Sequence, residues 1–130
     1  MCPTEQVPAP VEVAPAGGPV LLVGFSGGAS FAGGVALDEP ERVAGLATLY
    51  ATLPFDAGVP TGSGRLAGMA VLAEQGETDT VTPTDLQQRS WAYLQGDSGA
   101  VLTARRSPGG HARTPSDVAA LATWISAQVG

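Results

Sequence analysis

The chain alternates short apolar runs with segments of helical character. Four segments have the character of strands, at residues 19–25, 43–52, 69–76 and 99–107, and the first of them is continuously apolar. A short and continuously apolar run is typical of a parallel β-strand whose two faces are both buried. We therefore predict four strands that form the inner layer of the fold.

Three further segments are predicted to be helices, at residues 27–38, 84–95 and 116–129. The first consists mostly of small residues and should end before Pro40, which cannot continue a helix. It contains the pair Gly33 and Gly34, each of which costs a helix about 1 kcal/mol relative to alanine. Because a helix that keeps such glycines usually does so for close packing, we expect another part of the chain to approach this pair.

The second and third helices carry start signals. Thr84 is followed three residues later by Gln87, so Thr84 is predicted to be the N-cap of a capping box. Ser116 is predicted to be the N-cap of the third helix. In that helix an apolar stripe at helical spacing should face the sheet, and it comprises Val118, Leu121, Ala122, Ile125 and Val129.

The order of elements predicts the fold class. Strands that alternate with helices indicate an α/β protein with a mostly parallel sheet of about four strands and flanking helices. The length of 130 residues indicates one domain, which we place at residues 19–130. Residues 1–18 are rich in proline and end in two glycines, so we expect an extended or disordered arm there.

Composition excludes several classes of function. The net charge is −6 and the chain contains no lysine, so it has no electrostatic footprint for nucleic acid and little attraction to anionic membranes. No apolar stretch approaches the roughly 18 residues of a membrane-spanning helix, and no signal peptide is evident. We therefore expect a cytoplasmic protein without membrane insertion. Only 14% of the residues are charged, which favours association through an apolar face.

The single cysteine limits the redox and metal chemistry. Cys2 has no partner within the chain, so neither an internal disulfide nor a cysteine metal cluster is possible. We expect Cys2 to be an exposed residue near the terminus rather than a lipid anchor or a reactive thiol. The sequence contains no P-loop, dinucleotide fingerprint or metal-ligand cluster, so we expect neither a metal nor a cofactor.

Candidate chemistry appears where three of the strands end. Ser26 follows the first strand, Asp79 the third, and His111, the only histidine, follows the fourth. Parallel strands place their carboxyl ends on one rim of the sheet, which is where ligands bind in such folds. This placement suits a nucleophile, a general base and an orienting carboxylate that hydrogen-bond in series.

The residues around Ser26 fit the first of these roles. The sequence Gly24-Phe25-Ser26-Gly27-Gly28 has the G-x-S-x-G pattern of a nucleophile elbow, a tight turn from strand to helix that has no room for bulky neighbours. The helix that follows points its amino end at the serine, so the backbone N–H of Gly27 is a candidate oxyanion donor. Imidazole accepts a serine proton near neutral pH, and a carboxylate fixes its tautomer.

Other residues compete for these roles. A G-x-S-x-G sequence arises readily by chance in a chain with 18 glycines. Ser30 is an alternative serine, although it lies within the predicted helix, and Glu77 and Asp85 are alternative carboxylates. Trp91 and Trp124 are expected to pack in the core or an interface rather than to form a substrate platform.

Four segments together resemble a known family: "LLVGFSGGAS", "VAGLATLYATLP", "AVLAEQGETDTVTP" and "RRSPGGHARTPSDVAALATWI". They look like consecutive strand-loop blocks of an α/β-hydrolase, and among these they are most similar to the phospholipase/carboxylesterase group of small serine esterases. The resemblance implies that Ser26 is the nucleophile, Asp79 the acid and His111 the base. It also implies an oxyanion N–H from Gly27 and a substrate pocket bordered by Phe25, Leu53 and Pro54.

The chain departs from that family before the elbow. Family members place several strands and helices there, whereas only 18 residues precede Pro19 in this sequence. The sequence therefore resembles the carboxyl-terminal half of the fold, as a miniature hydrolase or as a fragment of a larger one. The loop that supplies the second oxyanion donor, and the strands that flank the nucleophile strand, have no counterpart in it.

This departure leads to a predicted homodimer. The nucleophile strand would be an apolar edge, and such edges pair or aggregate. A two-fold partner that extends the sheet or covers the exposed face with its last helix would solve the problem. Alternatively, the arm from Thr4 to Gly18 lies across the edge and lends a backbone N–H to the oxyanion.

The expected function is that of a serine carboxylesterase for small or medium-chain acyl esters, acting through an acyl-enzyme without a cofactor. One alternative is a catalytically impaired hydrolase fragment that serves as an interaction module. Another retains the three residues but acts on a thioester, an amide or a polyhydroxyalkanoate ester. The sequence does not distinguish these acyl groups, because the same residues perform all of these reactions.

Overall fold

The computed structural model describes residues 20–111 and 114–129, so the arm predicted at residues 1–18 lies outside the described residues. The four strands are β1 (Val20–Phe25), β2 (Val43–Leu49), β3 (Ala70–Gly76) and β4 (Val101–Ser107). The three α-helices are α1 (Gly27–Asp38), α2 (Thr84–Gln95) and α3 (Pro115–Val129). Short 3₁₀ turns lie at Pro40–Arg42 and Phe55–Ala57. The predicted strands and helices are confirmed, with small shifts at their ends.

The strands form one sheet in the order β1-β2-β3-β4, and every neighbouring pair is parallel. This confirms the predicted α/β class with a parallel sheet of four strands. The carboxyl ends of β1, β3 and β4 therefore lie on one rim, because all strands run in the same direction.

Hydrophobic side chains pack on both faces of the sheet. Leu46 belongs to the cluster that includes Leu37 of α1 and Leu94 of α2, whereas its neighbour Ala47 belongs to a cluster that includes Trp124 of α3. Successive strand residues point to opposite faces. Helices α1 and α2 thus cover one face and α3 covers the other.

The caps of α2 and α3 differ from the prediction. Thr84 is the first helical residue of α2 and Pro83 is its N-cap, with no side-chain cap hydrogen bond, so the predicted capping box is wrong. Gln87 instead donates from Nε2 to the carbonyl of Thr82 at 2.8 Å. At the start of α3, Thr114 and Asp117 exchange two hydrogen bonds, of 2.8 and 3.1 Å, and supply the cap that the sequence assigned to Ser116.

The apolar stripe predicted on α3 is correct only in part. Leu121 and Ile125 pack against the core, but Val118 is 53% exposed and Ala122 is also exposed. Trp124 is buried instead, at 6% exposure. The indole is the largest apolar group of the helix, and its burial contributes more than that of the smaller side chains. The side chain of Val129 is not described.

The glycine pair in α1 makes the close contact that its position predicts. A Cβ at Gly33 would lie 2.9 Å from Cδ2 of Leu53, and one at Gly34 would lie 3.3 Å from Cγ of Pro54. The missing side chains therefore let the loop after β2 pack directly on the helix.

Candidate active site

Ser26 lies in a strained turn between β1 and α1. Its φ is 55° and its ψ is −123°, a conformation that non-glycine residues rarely adopt and that typically costs about 1–3 kcal/mol. The N–H of Ser26 donates to the carbonyl of Leu49 at 2.8 Å, which anchors the turn to β2. Strain of this kind is retained where the surrounding structure holds the residue in place.

Gly24 makes the turn possible. A Cβ at Gly24 would lie 2.5 Å from the backbone of Gly28 and from the nitrogen of Ala29, closer than real Cβ contacts allow. The end of β1 and the first turn of α1 therefore pack backbone to backbone. This contact is the physical reason for glycine at the position two residues before Ser26.

Helix α1 begins directly after Ser26. Its first residue is the exposed Gly27, while the amides of Ala29 and Ser30 donate to the carbonyl of Ser26 at 3.0 and 3.2 Å. The first N–H groups of a helix have no carbonyl partner within it, and the amino end carries partial positive charge. This end of α1 can therefore stabilise negative charge that develops near Ser26.

The three candidate residues form one hydrogen-bonded series. Oγ of Ser26 lies 2.8 Å from Nε2 of His111, and Nδ1 of His111 lies 2.8 Å from Oδ2 of Asp79. The imidazole is largely buried, with 16% of its side chain exposed. Such a series can move a proton from the serine hydroxyl to the imidazole while the carboxylate holds the opposite nitrogen.

Asp79 is fixed by its own loop. Its Oδ1 accepts hydrogen bonds from the amides of Val81 and Thr82 at 2.8 and 3.1 Å, and its Oδ2 accepts one from the Thr82 hydroxyl at 3.2 Å. Burial by itself would raise the pKa of Asp79, but the hydrogen bonds from His111, Thr82 and Val81 outweigh it and hold the pKa below its usual value. Asp79 is therefore a carboxylate at neutral pH.

Backbone contacts join the loop of Asp79 to the loop of His111. The amide of Glu77 donates to the carbonyl of Ser107 at 2.8 Å, and that of Thr78 donates to the carbonyl of Gly109 at 3.1 Å. A Cβ at Gly76 would lie 2.6 Å from the carbonyl oxygen of Gly109, so only glycine allows this approach. The backbones of the two loops are thus held together independently of the hydrogen bond between Asp79 and His111.

The competing polar residues lie elsewhere. Ser30 is in α1 and donates to the carbonyl of Thr52 at 2.8 Å. Glu77 is exposed, and Asp85 is exposed in the first turn of α2. The structure therefore brings Asp79, and neither of these two carboxylates, to His111.

The residues predicted to line a pocket have different environments. The ring of Phe25 lies 5.7 Å from the imidazole of His111 between centroids. Leu53 is only 2% exposed and belongs to the core beneath α1. Pro54 lines an open groove of about 530 Å³ along α1, together with Ser30 and Phe31. Of the three, Phe25 is the one in contact with the hydrogen-bonded series.

Both tryptophans pack against protein groups. Trp124 is buried beneath the sheet, and the half-buried Trp91 carries the guanidinium of Arg106 at 4.5 Å above its ring. These contacts agree with the predicted packing role.

A buried polar network next to His111 was not predicted. Tyr50 donates a short hydrogen bond of 2.5 Å to the buried Asp117, and the carboxyl of Glu74 is buried in the same network. Arg105 faces Glu74 at 3.2 Å and Asp117 at 3.8 Å. The sequence carries one signal for this network, which is Glu74 within an apolar run. A carboxyl on a buried strand needs polar partners, so its position predicts a buried network.

Within residues 20–111 and 114–129, no group of three histidine, cysteine, aspartate or glutamate residues is placed to hold a metal ion. Nor does that part of the chain contain a helix of the length and apolarity needed to cross a membrane.

Comparison with known proteins identifies structural neighbours. No protein-family model and no curated protein matches the sequence. Among solved structures, the carboxylesterase of Bacillus cereus is 20% identical with a TM-score of 0.70, over 84% of this chain and 50% of that one. The carboxylesterase of Mesorhizobium loti is 27% identical with a TM-score of 0.64, over 82% of this chain and 48% of that one. Acyl-protein thioesterase 2 of Zea mays is 22% identical with a TM-score of 0.62, over 90% of this chain and 59% of that one.

These similarities confirm the resemblance to α/β-hydrolases of the carboxylesterase and phospholipase/carboxylesterase type. The chain spans about half the length of the solved structures it matches.

Proposed function

We propose that this protein is a serine hydrolase that cleaves small or medium-chain carboxylic esters. The observation that carries the proposal is the hydrogen-bonded series of Ser26, His111 and Asp79, with the serine in a strained turn at the amino end of α1. Similarity to carboxylesterases of known structure supports the same class of reaction.

The proposed reaction begins at Ser26. Its Oγ attacks the carbonyl carbon of the ester as His111 Nε2 takes the hydroxyl proton, and Asp79 keeps Nδ1 protonated. The carbonyl oxygen becomes an oxyanion next to the N–H of Gly27. Collapse of this intermediate breaks the ester C–O bond, and His111 returns the proton to the departing alcohol.

Hydrolysis of the acyl-enzyme repeats these steps with water. The oxygen of a water molecule attacks the acyl carbon while His111 takes a proton from that water. His111 then returns the proton to Ser26 Oγ as the carboxylic acid leaves. The products are one alcohol and one carboxylic acid. A thioester or an amide would react by the same route, with a thiol or an amine as the leaving group.

A direct test compares Ser26→Ala with the matched variant Ser30→Ala. Both remove one serine hydroxyl from the start of the same helix, but only Ser26 bonds to His111. We expect Ser26→Ala to lose at least about a thousandfold in hydrolysis of p-nitrophenyl acetate and butyrate, and Ser30→Ala to retain its rate. Equal rates for Ser26→Ala and the wild type would refute the proposal.

A fluorophosphonate probe distinguishes the enzyme from an inactive interaction module. We expect the probe to add once to the folded wild-type protein, at Ser26, and not to react with Ser26→Ala. Folded protein that takes up no probe would favour the interaction module. A panel of thioester, amide and polyhydroxyalkanoate substrates then identifies the acyl group.

We also propose that the protein forms a two-fold homodimer through the edge of β1. Within the described residues, β1 pairs with β2 alone, and its sequence VLLVGF is wholly apolar apart from its glycine. An apolar edge strand favours pairing with a second chain. A second copy would also cover the side of the sheet nearest to Ser26.

A further inference from the structure

Tyr50, which directly follows β2, contacts the imidazole of His111 with its ring and hydrogen-bonds on either side of the His111 segment with its hydroxyl. We propose that Tyr50 is a positioning residue that holds His111 in line with Ser26 and Asp79. Its effect on catalysis rests on the function proposed above, whereas its effect on the imidazole can be measured without any substrate.

The backbone of Tyr50 is fixed at the centre of the sheet. Its φ is 59°, in the left-handed region that bulky residues rarely adopt, and its side chain is 1% exposed. Its N–H donates to the carbonyl of Glu74 at 2.8 Å, and the preceding residue, Leu49, accepts from the amide of Ser26. Tyr50 is therefore attached to the same backbone position that anchors the serine turn.

The ring of Tyr50 lies beside the imidazole. The two ring centroids are 6.2 Å apart and the planes meet edge to face, at 74°. Phe25 lies 5.7 Å from each of these rings and completes the contact. Edge-to-face and tilted contacts between rings at these distances are favourable, so the two aromatic rings favour one orientation of the imidazole.

The hydroxyl of Tyr50 connects the two ends of the segment that carries His111. It donates to Oδ2 of Asp117, in the first turn of α3, and lies 3.2 Å from Oγ of Ser107, the last residue of β4. His111 is located between these two residues in the chain. One buried side chain thus fixes both the entry to and the exit from the segment that positions the imidazole.

The acceptor of this hydroxyl is kept ionised. Burial alone would raise the pKa of Asp117, but hydrogen bonds from Glu74, Tyr50 and Thr114 outweigh it and lower the pKa. Burial together with Asp117 raises the pKa of Glu74 to about 8, against the opposing effect of Arg105. The proton therefore resides on Glu74 at neutral pH, and Asp117 remains the anion that accepts from Tyr50.

The test uses the fact that the chain has one histidine, so its imidazole nitrogens give unambiguous NMR signals. Tyr50→Phe keeps the ring and removes the hydroxyl. Tyr93→Phe is the matched control, because it removes another buried tyrosine hydroxyl, which donates to the carbonyl of Gly62 at 2.9 Å. We compare imidazole ¹⁵N shifts and ester kinetics in the wild type and both variants.

We expect one fixed tautomer, protonated on Nδ1, in the wild type and in Tyr93→Phe. In Tyr50→Phe we expect exchange-broadened signals with mixed tautomers, and a kcat reduced about tenfold with KM changed less than about twofold. A Tyr50→Phe protein with wild-type imidazole signals would overturn the proposal. Altered signals in a protein that hydrolyses no ester would refute the proposed function and leave the positioning role supported.

If circular dichroism shows that Tyr50→Phe does not fold, Ser107→Ala takes its place. This variant removes the contact at the start of the His111 segment and leaves the Tyr50–Asp117 bond intact. We expect broadened imidazole signals and a kcat reduced about threefold. Unchanged signals and kinetics in Ser107→Ala would then overturn the proposal.

Discussion

The carboxyl groups of Glu74 and Asp117 face the same guanidinium in the interior of the protein, that of Arg105, at 3.2 and 3.8 Å. Both side chains are at most 2% exposed, and Arg105 is the cation that faces them. Burial, together with the nearby Asp117, raises the pKa of Glu74 to about 8, so Glu74 is the carboxyl that holds a proton at neutral pH. Folding therefore takes up a proton at Glu74 that the unfolded chain lacks near neutral pH.

This proton makes stability depend on pH. The pKa of Glu74 rises from its ordinary 4.5 to about 8 in the folded protein, so its stabilising contribution is complete below 4.5 and is lost as the pH rises through 8. One such proton gives a slope of at most about 1.4 kcal/mol per pH unit. We expect the urea midpoint of the wild type to fall between about pH 5 and pH 8.

Glu74→Gln should flatten this pH profile, since an amide occupies the same buried position and does not titrate. Glu41→Gln is the control, because it changes the same kind of side chain at an exposed position. We expect Glu41→Gln to retain the wild-type slope. A Glu74→Gln profile that parallels the wild type would show that Glu74 is ionised in the folded protein.

Replacement of Asp79 should impair turnover without unfolding the protein. Asp79→Asn removes the charge that holds Nδ1 of His111, and losses of about 10²–10⁴-fold in kcat are typical of this change. Asp85→Asn, at an exposed position on α2, should retain the wild-type rate. If Asp79→Asn remained as active as the wild type, the carboxylate role would pass to another residue.

The Gly24 position should tolerate no side chain. A Cβ there would lie 2.5 Å from backbone atoms of α1 that cannot move aside, so we expect Gly24→Ala to lower the free energy of unfolding by about 3 kcal/mol or more. Gly62→Ala provides the control, because a Cβ at Gly62 would meet no atom within 4 Å. Urea denaturation of both variants measures the difference, and equal midpoints would contradict this account of the turn.

The proposed dimer can be measured by sedimentation. We expect the wild type to sediment at twice the 13.0 kDa of one chain at micromolar concentration. Leu21→Lys, which places a charge on the edge strand, should shift the population toward monomer, since charges on edge strands oppose pairing. Val101→Lys places a charge at a more exposed position on the opposite edge strand, β4, and should leave the dimer intact. A stable wild-type monomer would contradict the proposal.

Much of the fold was predictable because its signals are local. β1, β2 and β3 are short and mostly apolar, as is typical of parallel strands buried on both faces, whereas β4 is a partly exposed edge strand with two arginines. The strained turn was also predictable from the sequence, because Gly24 and Ser26 lie within one pentapeptide. The structure shows that the position of Gly24 has room for glycine alone. Chain order then placed Asp79 and His111 after their strands, on the same rim.

The helix caps were harder to predict, because cap signals overlap. Thr114 and Ser116 are both good caps, and the sequence does not rank them. The tertiary structure favours Thr114, since its partner Asp117 also accepts a hydrogen bond from Tyr50 and faces Arg105. The start of α3 is thus determined by the buried contacts of Asp117.

The sequence by itself determined the parallel α/β fold and the order of the three polar residues at its rim, because periodicity and turn chemistry depend on neighbours in the chain. Only the tertiary structure decided what surrounds His111. Glu74 and Arg105 come from two strands, Tyr50 directly follows a third, and Asp117 is in a helix, so no local sequence pattern joins them. Their contacts exist because a buried polar group must find its partners wherever the fold brings them.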